Sequence, residues 1–281
     1  MKRLLATTAF ALIASASVAQ ANDPETVKIR QHFDLPRYEV QDVTNYIRAV
    51  NDIINSSLSG TNIQNLLQWR DVSVDGGVGD IYDFSQYTDE EQLVSNTAIS
   101  SYGDVGAALE AVNIMNYVEL ADMLGGAGHV GDHILVDQLV WGTEQKGINT
   151  ILAKGEVLEG SSASVTNLAN VADITGAKGG DPYGDILRLD QLAKYSVQIA
   201  NNWAEAGSVG GLDMSATNGV NIASFDLSDM SGNANMGISQ QTYDVTQTIQ
   251  NGVRAHGSVA GAALSGVNLG NVLTFAVPEI Q

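Results

Sequence analysis

Apolar and polar residues alternate with a period of two along several short stretches of the chain, the spacing of a strand that turns one face inward. One set reads Asp80-Ile81-Tyr82-Asp83-Phe84-Ser85-Gln86, Asp132-His133-Ile134-Leu135-Val136-Asp137-Gln138 and Asp185-Ile186-Leu187-Arg188-Leu189-Asp190-Gln191, each following a glycine (Gly79, Gly131, Gly184). Tyr82, Phe84 and Gln86 share one face, as do Leu187, Leu189 and Gln191. A second set groups Gln145, Gly147, Asn149, Ile151 and Ala153, and again Gln247, Ile249, Asn251, Val253 and Ala255. Amides therefore lie on the same face as aliphatic side chains. Residues 43–54 and 102–124 carry Ala, Leu, Met and Glu in number and also admit amphipathic helical turns. Frequent Gly, Asn, Ser and Thr argue against long helices elsewhere.

The alternation belongs to a longer repeat. A pair of asparagines three apart recurs as Asn62/Asn65, Asn113/Asn116, Asn167/Asn170, Asn218/Asn221 and Asn268/Asn271. The steps between first asparagines are 51, 54, 51 and 50 (113−62, 167−113, 218−167, 268−218). Gln41, Gln86, Gln138, Gln191 and Gln241 form a second column, and Asn51, Asn96, Asn149, Asn201 and Asn251 a third. The separation from this Gln to this Asn is 10, except 11 in the third copy (149−138). Gly103, Gly155, Gly207 and Gly257 form a fourth column, each followed two residues on by Val105, Val157, Val209 or Val259. A fixed period of this size marks a stacked architecture.

The fold class that follows is all-β, a repeat array of the β-solenoid kind built from stacked strand–turn–strand layers, with room for short helices. A repeat of about fifty residues is large for one turn, so each copy is expected to supply two layers of about four short strands in all. Stacking would set Asn over Asn and Gln over Gln at about 4.8 Å. An amide carries both donor and acceptor, so such a column can bond along its own length. Stacked carboxylates would repel. Proline, which cannot donate to a strand ladder, occurs inside the array only at Pro182.

Four segments are read along the chain: a secretory signal over 1–21, a polar leader over 22–36, the five-copy array over 37–277 and a short tail over 278–281. Lys2 and Arg3, an apolar run over 4–14 and the small-x-small site Ala19-Gln20-Ala21 carry the signal reading. That run is too short to span a bilayer, and no later stretch is long and apolar enough. The expected destination is the periplasm, outer surface or extracellular matrix of a bacterium. The chain has no cysteine, so packing and hydrogen bonds must hold it. Its formal net charge of −19 and only 13 Lys and Arg exclude nucleic acid and anionic membrane surfaces as expected partners. With 44% hydrophobic residues it has the material for a core.

The patterns Gln145-x-Gly147-x-Asn149-x-x-x-Ala153 and Gln247-x-x-x-Asn251-x-x-x-Ala255, with the Ser-x-x-Asn-x-x-Asn marks, resemble bacterial functional-amyloid subunits of the curlin type. The resemblance covers the array and is loose, since curlin units are about half as long, more regular and poorer in Leu, Ile and Val. It implies a cell-surface fibre subunit for adhesion or biofilm matrix, partnered by itself or by other surface and matrix components.

Catalytic chemistry has no comparable signal. No nucleophile elbow, phosphate loop or cysteine–histidine pairing is present, and the chain is read as a non-enzyme without a cofactor. The glycine–aspartate stretches around Asp80 and Asp132 approach a calcium-binding nonapeptide, but each stands alone where that site needs consecutive copies. Tight turns are the favoured reading, and Asp80, Asp132 and Asp185 are the positions left for any cation. Trp69, Trp141 and Trp203, candidates for a carbohydrate-stacking surface, fall in no common column, and core packing is the expected role of Trp203. The second functional reading is a secreted carbohydrate-binding or carbohydrate-active β-helix protein.

Overall fold

The computed structural model describes residues 26–33, 40–70, 81–124, 132–176, 184–228 and 235–276. Every regular element among them is a strand, and every strand pairing is parallel. Five coils stack along one axis. The first contains β1 (Thr26–Phe33), β2 (Val40–Ala49) and β3 (Ile53–Arg70); the second β4 (Ile81–Thr88), β5 (Glu91–Ser100) and β6 (Val105–Leu124). The third holds β7 (His133–Trp141), β8 (Glu144–Ala153), the two-residue β9 (Glu156–Val157) and β10 (Ser161–Gly176). The fourth holds β11 (Ile186–Lys194), β12 (Val197–Ala206), β13 (Ser208–Val209) and β14 (Leu212–Asp226). The fifth holds β15 (Asn235–Tyr243), β16 (Thr246–Ala255) and β17 (Ala262–Ala276).

Equivalent strands stack into three sheets. The first runs β1-β4-β7-β11-β15, the second β2-β5-β8-β12-β16, and the third β3-β6-β10-β14-β17 with β9 and β13 attached. Each fifty-residue copy is therefore one turn of the solenoid, since Asn62 pairs in register with Asn113 and Asn113 with Asn167. The expectation of two layers per copy is corrected. The coil is long because its third strand runs 15 to 20 residues wherever it is complete in the second to fifth coils. The first strand and the N-terminal part of the array also differ from expectation. Residues 26–33, placed in the leader by sequence, form β1, whose Ile29 packs into the core and whose Gln31 joins an inward column.

The helical alternative is overturned as well. Residues 43–54 fall in β2, a turn and the start of β3, and β6 takes 105–124. For β6, parallel pairing with β3 and β10 and burial of alternate side chains outweigh the helix propensity of Ala, Leu and Met, and for β2 in-register pairing with β5 on one side does so.

Two side-chain layers make the core. The second sheet packs against the first half of each long strand through Ile151, Ala204, Leu109 and Leu212. The first sheet packs against the second half through Phe84, Ile134, Leu187, Leu120, Ile174 and Phe225. The long strand changes direction between these halves at Asn65, Asn116, Asn170, Asn221 and Asn271, all at φ between 47° and 53°. Asparagine is among the few L residues that enter this left-handed region routinely. The turn from second to third strand is set by Gly103, Gly155, Gly207 and Gly257. A Cβ on Gly207 would come within 2.7 Å of the Gly155 carbonyl below it, and one on Gly257 within 2.9 Å of Gly207. Val105, Val157, Val209 and Val259 stack directly after these glycines.

Candidate functional site

The interior carries five ladders of side-chain amides. In the third sheet Asn62, Asn113, Asn167, Asn218 and Asn268 link at 3.2, 2.8, 2.9 and 3.1 Å, each Nδ2 donating to the Oδ1 of the next coil. Asn65, Asn116, Asn170, Asn221 and Asn271 do the same at 2.8, 2.9, 2.9 and 2.9 Å. In the second sheet Asn45, Asn96, Asn149, Asn202 and Asn251 link at 2.8, 2.9, 2.9 and 2.8 Å.

Two glutamine ladders run the other way. Gln86 donates to Gln31, Gln138 to Gln86, Gln191 to Gln138 and Gln240 to Gln191, at 2.7 to 2.8 Å. In the second sheet Gln92 donates to Gln41, Gln145 to Gln92, Gln198 to Gln145 and Gln247 to Gln198.

The second amide proton crosses between sheets, which fixes the orientation of each amide. Asn116 Nδ2 donates to the Leu139 carbonyl in the first sheet at 2.9 Å. Gln138 Nε2 returns the bond to the Asn116 carbonyl at 2.7 Å and reaches the Val171 carbonyl at 3.0 Å. Asn149 joins the second sheet to the Ser164 carbonyl of the third at 2.7 Å. Asn96, Asn113, Asn149, Asn167 and Asn218 are fully buried. Buried polar groups are tolerated only when satisfied, and here the ladder bond and the cross-sheet bond together achieve it.

The column Asn62, Asn113, Asn167, Asn218 and Asn268 stands as read from sequence. The other two columns hold with exchanges. Gln86, Gln138 and Gln191 are in one ladder, but its ends are Gln31 and Gln240 rather than Gln41 and Gln241. Gln41 starts the second glutamine ladder, and Gln241 lies exposed opposite Leu192. Asn96, Asn149 and Asn251 are in one ladder with Asn45 and Asn202. Asn51 lies exposed in the turn, two residues before Ile53, at the place Gly103 takes two residues before Val105. Asn201 points outward between Ile148 and Gln250.

In the fourth and fifth coils the cause is one residue at the corner between first and second strands; in the first coil the column takes Gln41 of the second glutamine ladder in place of Gln31. The true separations are 10 in the second coil and 11 in the third, fourth and fifth (96−86, 149−138, 202−191, 251−240). A spacing of 10 in the fourth and fifth coils slips by one residue, and a slip of one turns a strand side chain to the other face.

Of the cation candidates, Asp80 lies outside the described residues. Asp132 and Asp185 are buried at the start of β7 and β11, where Asp185 Oδ1 accepts the Asp132 backbone N–H at 3.1 Å. That bond caps successive strands. Among the described residues no group of three or more His, Cys, Asp or Glu side chains is placed to hold a metal ion. Trp69 lies on the core, its ring centroid 5.8 Å from Phe84. Trp203, expected in the core, faces outward on β12 across from Thr150 and Gly252, and Ala204 takes the inward place beside Ile151 and Val253.

The ladders end at two strand edges. Among the described residues β1, β2 and β3 pair on one side only, and so do β15, β16 and β17. On the last coil Leu264, Val267, Leu273 and Phe275 are exposed. The fold and its interior define the class: a parallel β-solenoid with five amide ladders, whose first and last coils, among the described residues, pair on one side only. Comparison of the chain with family models, with curated proteins and with solved structures finds no match in any of the three. No helix of the described residues is long and apolar enough to cross a membrane.

Proposed function

We propose that the chain is an exported, non-enzymatic subunit of a bacterial surface fibre or biofilm matrix, acting by end-to-end assembly and adhesion. The observation that carries this reading is the polarity of the ladders. All three asparagine ladders donate toward the C-terminal coil, and both glutamine ladders donate toward the N-terminal coil. The last coil thus ends in the Nδ2 groups of Asn251, Asn268 and Asn271 and the Oε1 groups of Gln240 and Gln247. The first coil ends in the Oδ1 groups of Asn45, Asn62 and Asn65 and the Nε2 groups of Gln31 and Gln41. A second copy placed head to tail would meet donor with acceptor in all five ladders while its strands extended all three sheets. Such a heterologous contact does not close and generates a filament.

The test is assembly of the mature chain, followed by thioflavin fluorescence and fibre diffraction with a meridional spacing of about 4.8 Å. A chain that stays monomeric under all conditions overturns the reading. Asn251→Asp with Asn268→Asp sharpens it. Both aspartates still accept from Asn202 and Asn218 inside the molecule but present carboxylate oxygens to the incoming Oδ1 groups. Elongation is expected to slow by about tenfold or more, with circular dichroism of the monomer unchanged.

A further inference from the structure

The outer face of the first sheet carries a groove of about 650 Å³ that runs across the strands, parallel to the solenoid axis. Its two sides are columns of side chains two residues apart along each strand. One side is Tyr87, Leu139 and Leu192, in register on β4, β7 and β11. The other is Ser85, Asp137 and Asp190 on the same strands. Arg188 holds Asp190 through Nε at 2.6 Å, so the polar side offers fixed donors as well as acceptors. Beyond the apolar column, at the corner of the coil, the exposed rings of Trp141, Tyr195 and Tyr243 follow one another at 5.5 and 5.4 Å between centroids.

We infer that this groove binds one linear, uncharged polysaccharide chain lying along the solenoid axis. The two columns repeat over the second, third and fourth coils, so the groove suits a ligand that is itself a repeating polymer. An apolar strip facing a line of hydrogen-bonding groups matches a pyranose chain, whose ring faces are apolar and whose edges carry hydroxyls. A polypeptide is a poorer occupant. It gains affinity by pairing its backbone with a strand edge, and this groove lies on a sheet face whose backbone groups are already paired within the sheet. Within the groove Arg30 and Arg188 balance Asp137 and Asp190, and Lys194 lies over the rings at the corner, so an anionic polymer is opposed by the net charge of −19 on the whole chain. Burial in the groove, and then the neighbouring Asp190 carboxylate, raise Asp137 above the usual carboxylate range, which fits a carboxyl placed to share hydrogen bonds with hydroxyls.

The inference is independent of fibre formation, and its test works on monomer or fibre alike. The full mature chain is immobilised on a plasmon-resonance surface, and hydroxyethyl cellulose, linear xylan, linear mannan, carboxymethyl cellulose and a polyglutamine peptide are passed over it. Binding of at least one neutral glycan is expected, with carboxymethyl cellulose and the peptide at least about tenfold weaker. Leu139→Ser with Leu192→Ser, and separately Asp137→Ala with Asp190→Ala, should each weaken the neutral glycan by about tenfold or more. Thr150→Ala, on the outer face of the second sheet, should leave it unchanged. Circular dichroism confirms that each variant keeps its strands. Absence of binding by all three neutral glycans overturns the inference. So does stronger binding of the anionic polymer or the peptide, or binding that survives both groove variants.

Discussion

Asn167 donates two hydrogen bonds and accepts one, all in the dry interior. Replacing it with leucine keeps the volume but leaves the Asn113 amide proton and the Asn218 oxygen without their ladder partners and removes the side-chain bond to the Ile199 carbonyl. Lost bonds and orphaned groups at about 1 kcal/mol each set a cost of roughly 3 kcal/mol, to be read from urea unfolding. Asn170 carries a backbone burden as well, at φ 53°. Asn170→Ala is expected to cost about 1 kcal/mol more than Asn170→Gly, because glycine relieves the left-handed strain although both lose the ladder. Equal costs would mean that the amide alone selects asparagine there. The sequence carries a sign of this kink that the column reading passes over. Two residues three apart in an unbroken strand face opposite ways, so Asn-x-x-Asn can be inward at both positions only if the alternation resets between them. The burial pattern of β10 does so at Ala169 and Asn170. The Asn62 column is legible from spacing because nothing of variable length intervenes between its asparagines and the kink. Asn202 and Gln240 are missed because each adjoins a second amide, Asn201 and Gln241, and only the corner's extra residue decides which of the pair faces in.

At the level of the strand, register is the controlling quantity. β12 alternates inward Gln198, Ala200, Asn202, Ala204 and Ala206 with outward residues over its whole length. Deleting Asn201 would turn Trp203 and Glu205 inward and the three following apolar or amide places outward. Loss of cooperative unfolding is expected, monitored by circular dichroism during a urea titration. Removal of residues 133–185, 53 residues from the start of β7 to the residue before β11 (186−133), is expected to do far less. It joins Asp132 to Ile186, which is already in register with His133, and each coil contacts chiefly its neighbours. A four-coil chain with a single cooperative transition and a lower urea midpoint is the expected result. Among the strands of the first and second sheets, β4, β7, β11, β8 and β16 are readable from period-two alternation because each keeps one phase from end to end. The long strands of the third sheet hid from the same reading. Their phase changes at the kink, and β6 in particular mixes Ala, Leu, Met and Glu in a composition that also suits a helix.

Across the whole molecule, parallel in-register stacking places like charges above one another. Asp137 lies in register with Asp190 and Asp173 with Glu119, while Asp226 lies two residues further along the adjacent strand, opposite Thr175. Burial first, and then these neighbours, raise the Asp137 and Asp173 carboxyls above their ordinary value. A carboxyl whose folded pKa is raised binds its proton more tightly in the folded state, so the stability it contributes is complete below the unfolded value of about 4 and is lost as pH rises through the folded value. Asp226, held down by its hydrogen bonds to Ser228, has the opposite sign, but it is fully exposed. The array is therefore expected to resist urea better at about pH 4 than at about pH 8, and acid should also relieve the repulsion of a chain with net charge −19. Both raised carboxyls are partly open to water, and screening holds the contribution to under about 1 kcal/mol per site. Asp190→Asn separates the local effect from the global one. It removes the neighbour that raises Asp137, so the gain on acidification should shrink by more than it does for removal of an isolated surface carboxylate such as Asp213→Asn. An equal change in the two variants would assign the pH dependence to net charge rather than to the stacked pair.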